Sequence, residues 1–84
     1  MGVKGDLKMS STFSKPEVAR LQKYMQDKFA NAKLTLVERK EVKDSVEVTL
    51  GGEFLGVIYK DEDEGEVSYD FNMAILAMDL PAAA

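Results

Sequence analysis

The sequence contains no histidine, no cysteine and no tryptophan. The lack of histidine and cysteine removes the usual nucleophile–base pairs, and with them the commonest transition-metal ligands. Without cysteine the chain has no disulfide, so its stability must come from apolar packing or from self-association. The 84 residues are enough for one small domain with a modest core.

The sequence also lacks the motifs of common enzymes and of targeted proteins. It has no G-x-S-x-G elbow, no glycine-rich phosphate loop and no pair of residues at metal-ligand spacing, which predicts a non-catalytic protein without a cofactor. No apolar run approaches the ~20 residues that span a bilayer. Residues 1–13 lack the apolar stretch of a signal peptide and are predicted to be a disordered tail. We expect a soluble cytoplasmic protein with one domain over residues 14–80 and a frayed end at 81–84.

Charge is concentrated in one segment. Residues 61–66 carry five carboxylates in a chain of net charge −4, so the remainder is close to neutral. Because no basic stripe is present, we expect no nucleic-acid partner. Asp61 and Asp63 begin a D-x-D-x-G pattern that is too short for a calcium loop of the EF-hand type. A solvated hairpin loop is the simpler interpretation, with a weak divalent-cation site as an alternative.

Hydrophobic periodicity predicts an α+β fold. Ser14 and Glu17 fit a capping box, and apolar residues at three- and four-residue steps follow to Phe29, so a helix is predicted over Lys15–Phe29. The period then changes to two, which predicts four strands at about Lys33–Glu38, Ser45–Leu50, Glu53–Lys60 and Glu66–Ile75. Short connections favour an antiparallel meander with the N-terminal helix packed on one face, an α-β-β-β-β arrangement in two layers. The helix is long enough to cross all four strands.

The turns predict which side chains face the helix. A two-residue turn at Gly51-Gly52 sets Leu50 opposite Glu53, so that Leu55, Val57 and Tyr59 point inward. A five-residue loop, Asp61–Gly65, then brings a second inward row from the last strand, namely Val67, Tyr69 and Phe71. In this register Phe54 and Ile58 lie on the open face, together with Val37. The apolar segment 73–80 is expected to pack along the sheet edge or over that open face.

Several runs of residues together resemble a known family. They are Lys43–Val48, Gly52–Tyr59, Asp61–Gly65 and Ser68–Leu76. The chain is similar in these runs to a small alphaproteobacterial family, the domain of unknown function 3126. The resemblance implies a compact cytoplasmic bacterial protein of unassigned activity, and it supplies no catalytic residues to carry over.

The preferred hypothesis is a small binding or adaptor module. Its candidate contact residues are Val37, Phe54 and Ile58 on the open face. Arg39 and Lys40 add positive charge in the first strand connection, at the same end of the sheet as the acidic loop, and the two loops are expected to form a charged rim. The partner would be an unknown protein, with no nucleic acid and no membrane. Two alternatives stay open, a structural homo-oligomer and a weak divalent-cation site at the acidic loop.

Overall fold

The computed structural model describes residues 12–82 as one helix followed by one four-stranded sheet. Helix α1 spans Lys15–Lys28, and the strands are β1 Leu34–Glu38, β2 Ser45–Leu50, β3 Glu53–Asp63 and β4 Glu66–Asn72. The strand order is β1-β2-β3-β4, and every neighbouring pair is antiparallel. The predicted α+β meander is therefore confirmed. A short 3₁₀ helix, Ala77–Asp79, follows β4.

The beginning of α1 has the predicted cap, and the helix ends at Lys28, one residue before the predicted end at Phe29. The Ser14 hydroxyl accepts a hydrogen bond from the Glu17 amide, and the Glu17 carboxylate accepts one from the Ser14 amide. Just beyond the C-terminal end, Ala30 has a positive φ of 50°. The Asn31 carboxamide oxygen accepts the Lys33 amide at 2.9 Å. The Asn31 side chain therefore stabilises the turn into β1, and Ala30 adopts the left-handed backbone conformation.

A β-bulge in β3 reverses the predicted direction of its side chains. Thr49 pairs with Phe54 and Val48 pairs with Gly56, so Leu55 is the extra residue. Since one added residue exchanges the two faces of a strand, the inward assignment of Val57 and Tyr59 is wrong. The exposed position predicted for Ile58 is also wrong, because this side chain is buried under the helix with 1% of its surface exposed.

The turn between β3 and β4 restores the predicted face of β4. Only Glu64 and Gly65 form this turn, with φ of 52° and 83°, so the predicted five-residue loop is wrong and β3 continues to Asp63. Phe71 consequently lies opposite Ile58 instead of Leu55. Because the bulge and the shorter turn each change the register by an odd number of residues, their effects on β4 cancel. The inward row of β4 predicted from the sequence therefore lies on the helix side.

Helix α1 runs along β1 instead of crossing the four strands. Near its middle the Gln22 carboxamide oxygen accepts the Leu36 amide at 2.9 Å, and the Gln26 amide group donates to the Leu34 carbonyl at 2.8 Å. These bonds satisfy the outer edge of β1, which would otherwise be open to another strand. A helix about 10 Å wide covers about two strands spaced ~4.8 Å apart. The helix side of β4 is therefore left uncovered.

The core lies between α1 and the first three strands. Its buried side chains are Val18, Met25, Leu34, Leu36, Val46, Val48 and Ile58. Phe13 also packs against this core, and its amide donates to the Lys43 carbonyl at 3.0 Å. Of the tail predicted over 1–13, residues 1–11 lie outside the described residues. At the other end of the chain the segment 73–80 leaves the sheet, but every side chain in it is exposed, so the expected packing of this segment is not found.

Candidate binding groove

An open groove lies between α1 and β4, and at the end near Phe29 it extends to Leu34, Leu50 and Leu55 of the first three strands. It consists of two adjoining hollows of about 390 and 290 Å³, which share Met25 and Phe71. The helix side is formed by Arg20, Leu21, Tyr24, Met25 and Phe29, and the floor by Ile58, Tyr69, Phe71 and Met73. We call this feature the α1–β4 groove.

One end of the α1–β4 groove is polar. The Glu17 carboxylate accepts hydrogen bonds from Lys60 Nζ at 2.9 Å and from the Tyr69 hydroxyl at 2.5 Å. Lys60 Nζ donates in addition to the Thr12 carbonyl at 3.2 Å. Both charged side chains of this ion pair are largely buried. The network joins the first turn of α1 to β3 and β4, and so fixes the position of one wall relative to the floor.

The surroundings of Glu17 and Tyr69 change the pKa values of both groups. Burial by itself would raise the pKa of Glu17, but the hydrogen bonds from Tyr69, Lys60 and Ser14 and the charge of Lys60 outweigh it, and the pKa falls below 4.5. Burial, together with the hydrogen bond to Glu17 and its negative charge, raises the pKa of Tyr69 to about 12. Near neutral pH Tyr69 is therefore a neutral donor to a charged carboxylate. A base or nucleophile needs a pKa closer to the working pH, so this network is suited to holding the structure together.

The other end of the α1–β4 groove is apolar and open to solvent. Tyr24 of α1 and Phe29, the residue that caps its C-terminus, are each more than half exposed, and Phe71 and Met73 are exposed across from them. Isolated apolar side chains on a surface need no explanation, but a contiguous patch is typical of an interaction site. An aromatic helix wall beside a floor of aromatic and sulfur-containing side chains can bind another apolar surface.

The open face of the sheet carries two of the three predicted apolar residues. Val37 and Phe54 are exposed there, as predicted, whereas Ile58 lies in the core and cannot touch a partner while the protein is folded. Val37 lies beside Glu47 and Phe54 beside Thr49, in different rows of the sheet. They do not form one patch. Phe54 instead borders a shallow hollow that it shares with Tyr59 of β3 and with Leu76 and Asp79 of the C-terminal segment.

In the part of the chain that the structure describes, no ion pair joins the two loops of the predicted charged rim. Arg39 lies against the sheet, where its guanidinium group donates to the Ser45 hydroxyl at 3.0 Å and lies 3.9 Å from a Glu47 oxygen. Lys40 is exposed in the connection between β1 and β2. The ladder between β2 and β3 ends at Tyr59, so the acidic residues lie on a hairpin that projects past β2.

The acidic segment has a different form from the predicted solvated loop. Asp61 and Asp63 belong to strand β3, where they pair with Ser68 and Glu66 of β4. Within residues 12–82 no three carboxylates come together in a way that could hold a metal ion. The described structure therefore gives no support to a cation site here.

Sequence reasoning missed the α1–β4 groove, although a signal for it was present. Tyr24 and Phe29 extend the apolar surface of α1 beyond the stripe that its core needs. The last strand alternates apolar and polar side chains, which requires a cover on one face. One helix of 14 residues that runs along the strands cannot supply that cover for both edges.

Comparison with known proteins identifies the chain by family alone. The family profile described as "Protein of unknown function (DUF3126)" matches residues 17–79, which include most of α1, all four strands and most of the C-terminal segment. No curated protein and no solved structure matches the chain. Among the described residues, no helix is long and apolar enough to cross a membrane. The profile match covers well over half of the chain, which therefore belongs to the DUF3126 family of proteins of unknown function.

Proposed function

We propose that this protein is a non-catalytic binding module that takes up an apolar polypeptide segment in the α1–β4 groove. The observation that carries the proposal is the uncovered floor of the groove, where Tyr69 and Phe71 lie exposed beside Tyr24 and Phe29 of the helix wall. A bound segment would bury these rings and complete the second layer of the sandwich. Burial of one aromatic side chain removes about 150–250 Å² from water, so a few such rings suffice for specific binding.

The polar end of the groove defines the chemistry of the partner further. Arg20 lines the groove, and its charge acts on Tyr69. The Glu17 carboxylate is already bonded to Lys60 and Tyr69 and so does not neutralise Arg20. Among residues 12–82 no carboxylate forms an ion pair with Arg20. We therefore expect a segment that presents apolar side chains to the rings and a carboxylate to Arg20.

Peptide display tests this proposal with one matched pair of variants. Displayed peptides of random sequence are selected against the full chain at nanomolar concentration, and the selected peptides are expected to combine apolar residues with an acidic one. Tyr24→Asp should abolish their binding, whereas Phe54→Asp should not, although the two side chains are equally exposed at 57% and 56%. Circular dichroism is used to check that both variants are folded.

Two outcomes would contradict the proposal. Selected peptides that need Phe54 and tolerate Tyr24→Asp would move the binding surface to the open face. A selection that yields no binder would show that the groove does not take up polypeptide segments.

A further inference from the structure

We infer that the segment bound by the α1–β4 groove is the C-terminal segment, Ile75–Leu80, of a second copy of this chain. Each of two copies would then place its segment in the groove of the other, in a symmetric dimer. The inference rests on the proposed function, because it names the occupant of the same groove.

The C-terminal segment is as apolar as a protein interface, and yet its side chains are exposed to solvent. Its large apolar side chains are 53–83% exposed, and they are Ile75, Leu76, Met78 and Leu80. Asp79 is the only charged residue from Met73 to the end of the sequence. A solvated tail is typically polar. Four large apolar residues within six exposed positions are typical of a segment that binds another surface.

The chain lines its own groove only as far as Met73, and Leu76 and Asp79 lie outside it. At the end of β4 the Asn72 carbonyl presses on Gly56, and a Cβ at that glycine would lie 2.2 Å from the carbonyl oxygen. Beyond this contact Leu76 and Asp79 border the hollow that holds Phe54, which is on the open side of the sheet. The α1–β4 groove is on the opposite side, so a second copy can fill it more readily than the same chain.

Charge and area both fit this occupant. The single carboxylate of the segment, Asp79, matches the positive charge that Arg20 presents in the groove. The segment and the groove walls together offer about ten apolar side chains that are about half exposed, which corresponds to an area on the order of 1,000 Å² per copy. A specific interface needs ~800 Å² from each partner. The area is therefore sufficient for a stable dimer.

Light scattering and sedimentation equilibrium on the full chain test the inference. We expect a dimer in the micromolar range. Tyr24→Asp in the groove and Leu76→Asp in the segment should each weaken association at least tenfold. Val37→Asp, on the open face and 45% exposed, should leave association unchanged. Circular dichroism identifies any variant that fails to fold, and Leu76→Ser then replaces Leu76→Asp.

A charge exchange tests the pairing of segment and groove directly. Arg20→Asp and Asp79→Arg are each expected to weaken self-association. An equimolar mixture of the two variants should associate more tightly than either variant alone, because both groove–segment contacts of the mixed dimer pair opposite charges. A wild-type chain that remains monomeric at several hundred micromolar would overturn the inference, as would a dimer that only Val37→Asp weakens. If the chain is monomeric and displayed peptides still bind in a Tyr24-dependent way, the inference fails while the proposed function stands.

Discussion

Glu17 of α1 and Lys60 of β3 form an ion pair, with 2.9 Å between Oε2 and Nζ, although 43 positions separate them in the sequence. The same carboxylate completes the capping box of α1 and accepts the Tyr69 hydroxyl. One side chain therefore caps the helix and ties it to two strands. Because this ion pair is largely buried, its loss should affect stability far more than the loss of a surface pair.

Replacing Glu17 by glutamine should lower the free energy of unfolding by about 2–3 kcal/mol, because Lys60 would remain buried without its counter-charge. Urea unfolding followed by circular dichroism measures the change. Lys23→Met is the control, since it breaks the exposed Lys23–Asp27 pair within α1 and should cost less than about 0.5 kcal/mol. Equal losses of unfolding free energy in the two variants would show that the buried ion pair contributes no more to stability than the exposed pair does.

The pKa shifts of Glu17 and Tyr69 predict a loss of stability at both ends of the pH scale. The pKa of Glu17 is lowered in the folded state, so its contribution is complete above pH 4.5 and is lost as the pH falls through the folded value. The pKa of Tyr69 is raised from 10.0 to about 12, so its contribution is complete below pH 10 and is lost as the pH rises toward 12.

Urea unfolding across this range, with Tyr69→Phe for comparison, measures the alkaline part. The variant should lose less stability between pH 10 and 12 than the wild type does, and an absorbance titration should lack the tyrosine that ionises last. Identical alkaline profiles for the two proteins would contradict the assignment to Tyr69.

Substitutions at two neighbouring positions of β3 test the bulge. Ile58→Ala should cost about 2–4 kcal/mol, because it leaves a cavity in the core, whereas Val57→Ala on the other face should cost less than about 1 kcal/mol. Thermal and urea unfolding measure both. A larger loss of stability for Val57→Ala than for Ile58→Ala would mean that the side chains of β3 point as they would without a bulge.

Gly56 should not tolerate even a methyl group. An alanine Cβ there would meet the Asn72 carbonyl at 2.2 Å, and the shift of β4 that it forces should cost about 1–3 kcal/mol. Gly51→Asn serves as the control, because φ is +59° there, nothing lies within 4 Å of a Cβ, and asparagine suits this turn position. A stability change at Gly51 as large as that at Gly56 would argue against the close contact.

Ala30→Gly should raise the free energy of unfolding by about 0.5–1 kcal/mol, because Ala30 ends α1 with a positive φ that glycine adopts without strain. Ala19→Gly, at an exposed position inside the same helix, should have the opposite effect and cost about 1 kcal/mol. Denaturant unfolding of both variants provides the measurement. A loss of stability in Ala30→Gly would contradict the strain argument.

Local chemistry determined the elements of this fold. The Ser14–Glu17 cap and the three- to four-residue spacing predicted α1 to within one residue, and alternation predicted the existence of each strand. These signals depend on neighbours in sequence, such as a hydroxyl within reach of an amide three residues away. The glycine pair at Gly51-Gly52 likewise determined the turn between β2 and β3, where both residues have positive φ.

Only the tertiary structure decided the face of β3, the path of α1 and hence the candidate site. The bulge at Leu55 depends on the pairing of β3 with β2 and on the close contact between Asn72 and Gly56. Neither contact produces a periodic pattern in the sequence. The helix follows β1 because Gln22 and Gln26 bond to its outer edge. Because the helix lies along β1, it leaves the far edge of the sheet uncovered, and the α1–β4 groove results. Composition alone shows an excess of apolar side chains, but only packing determines which of them the chain leaves uncovered.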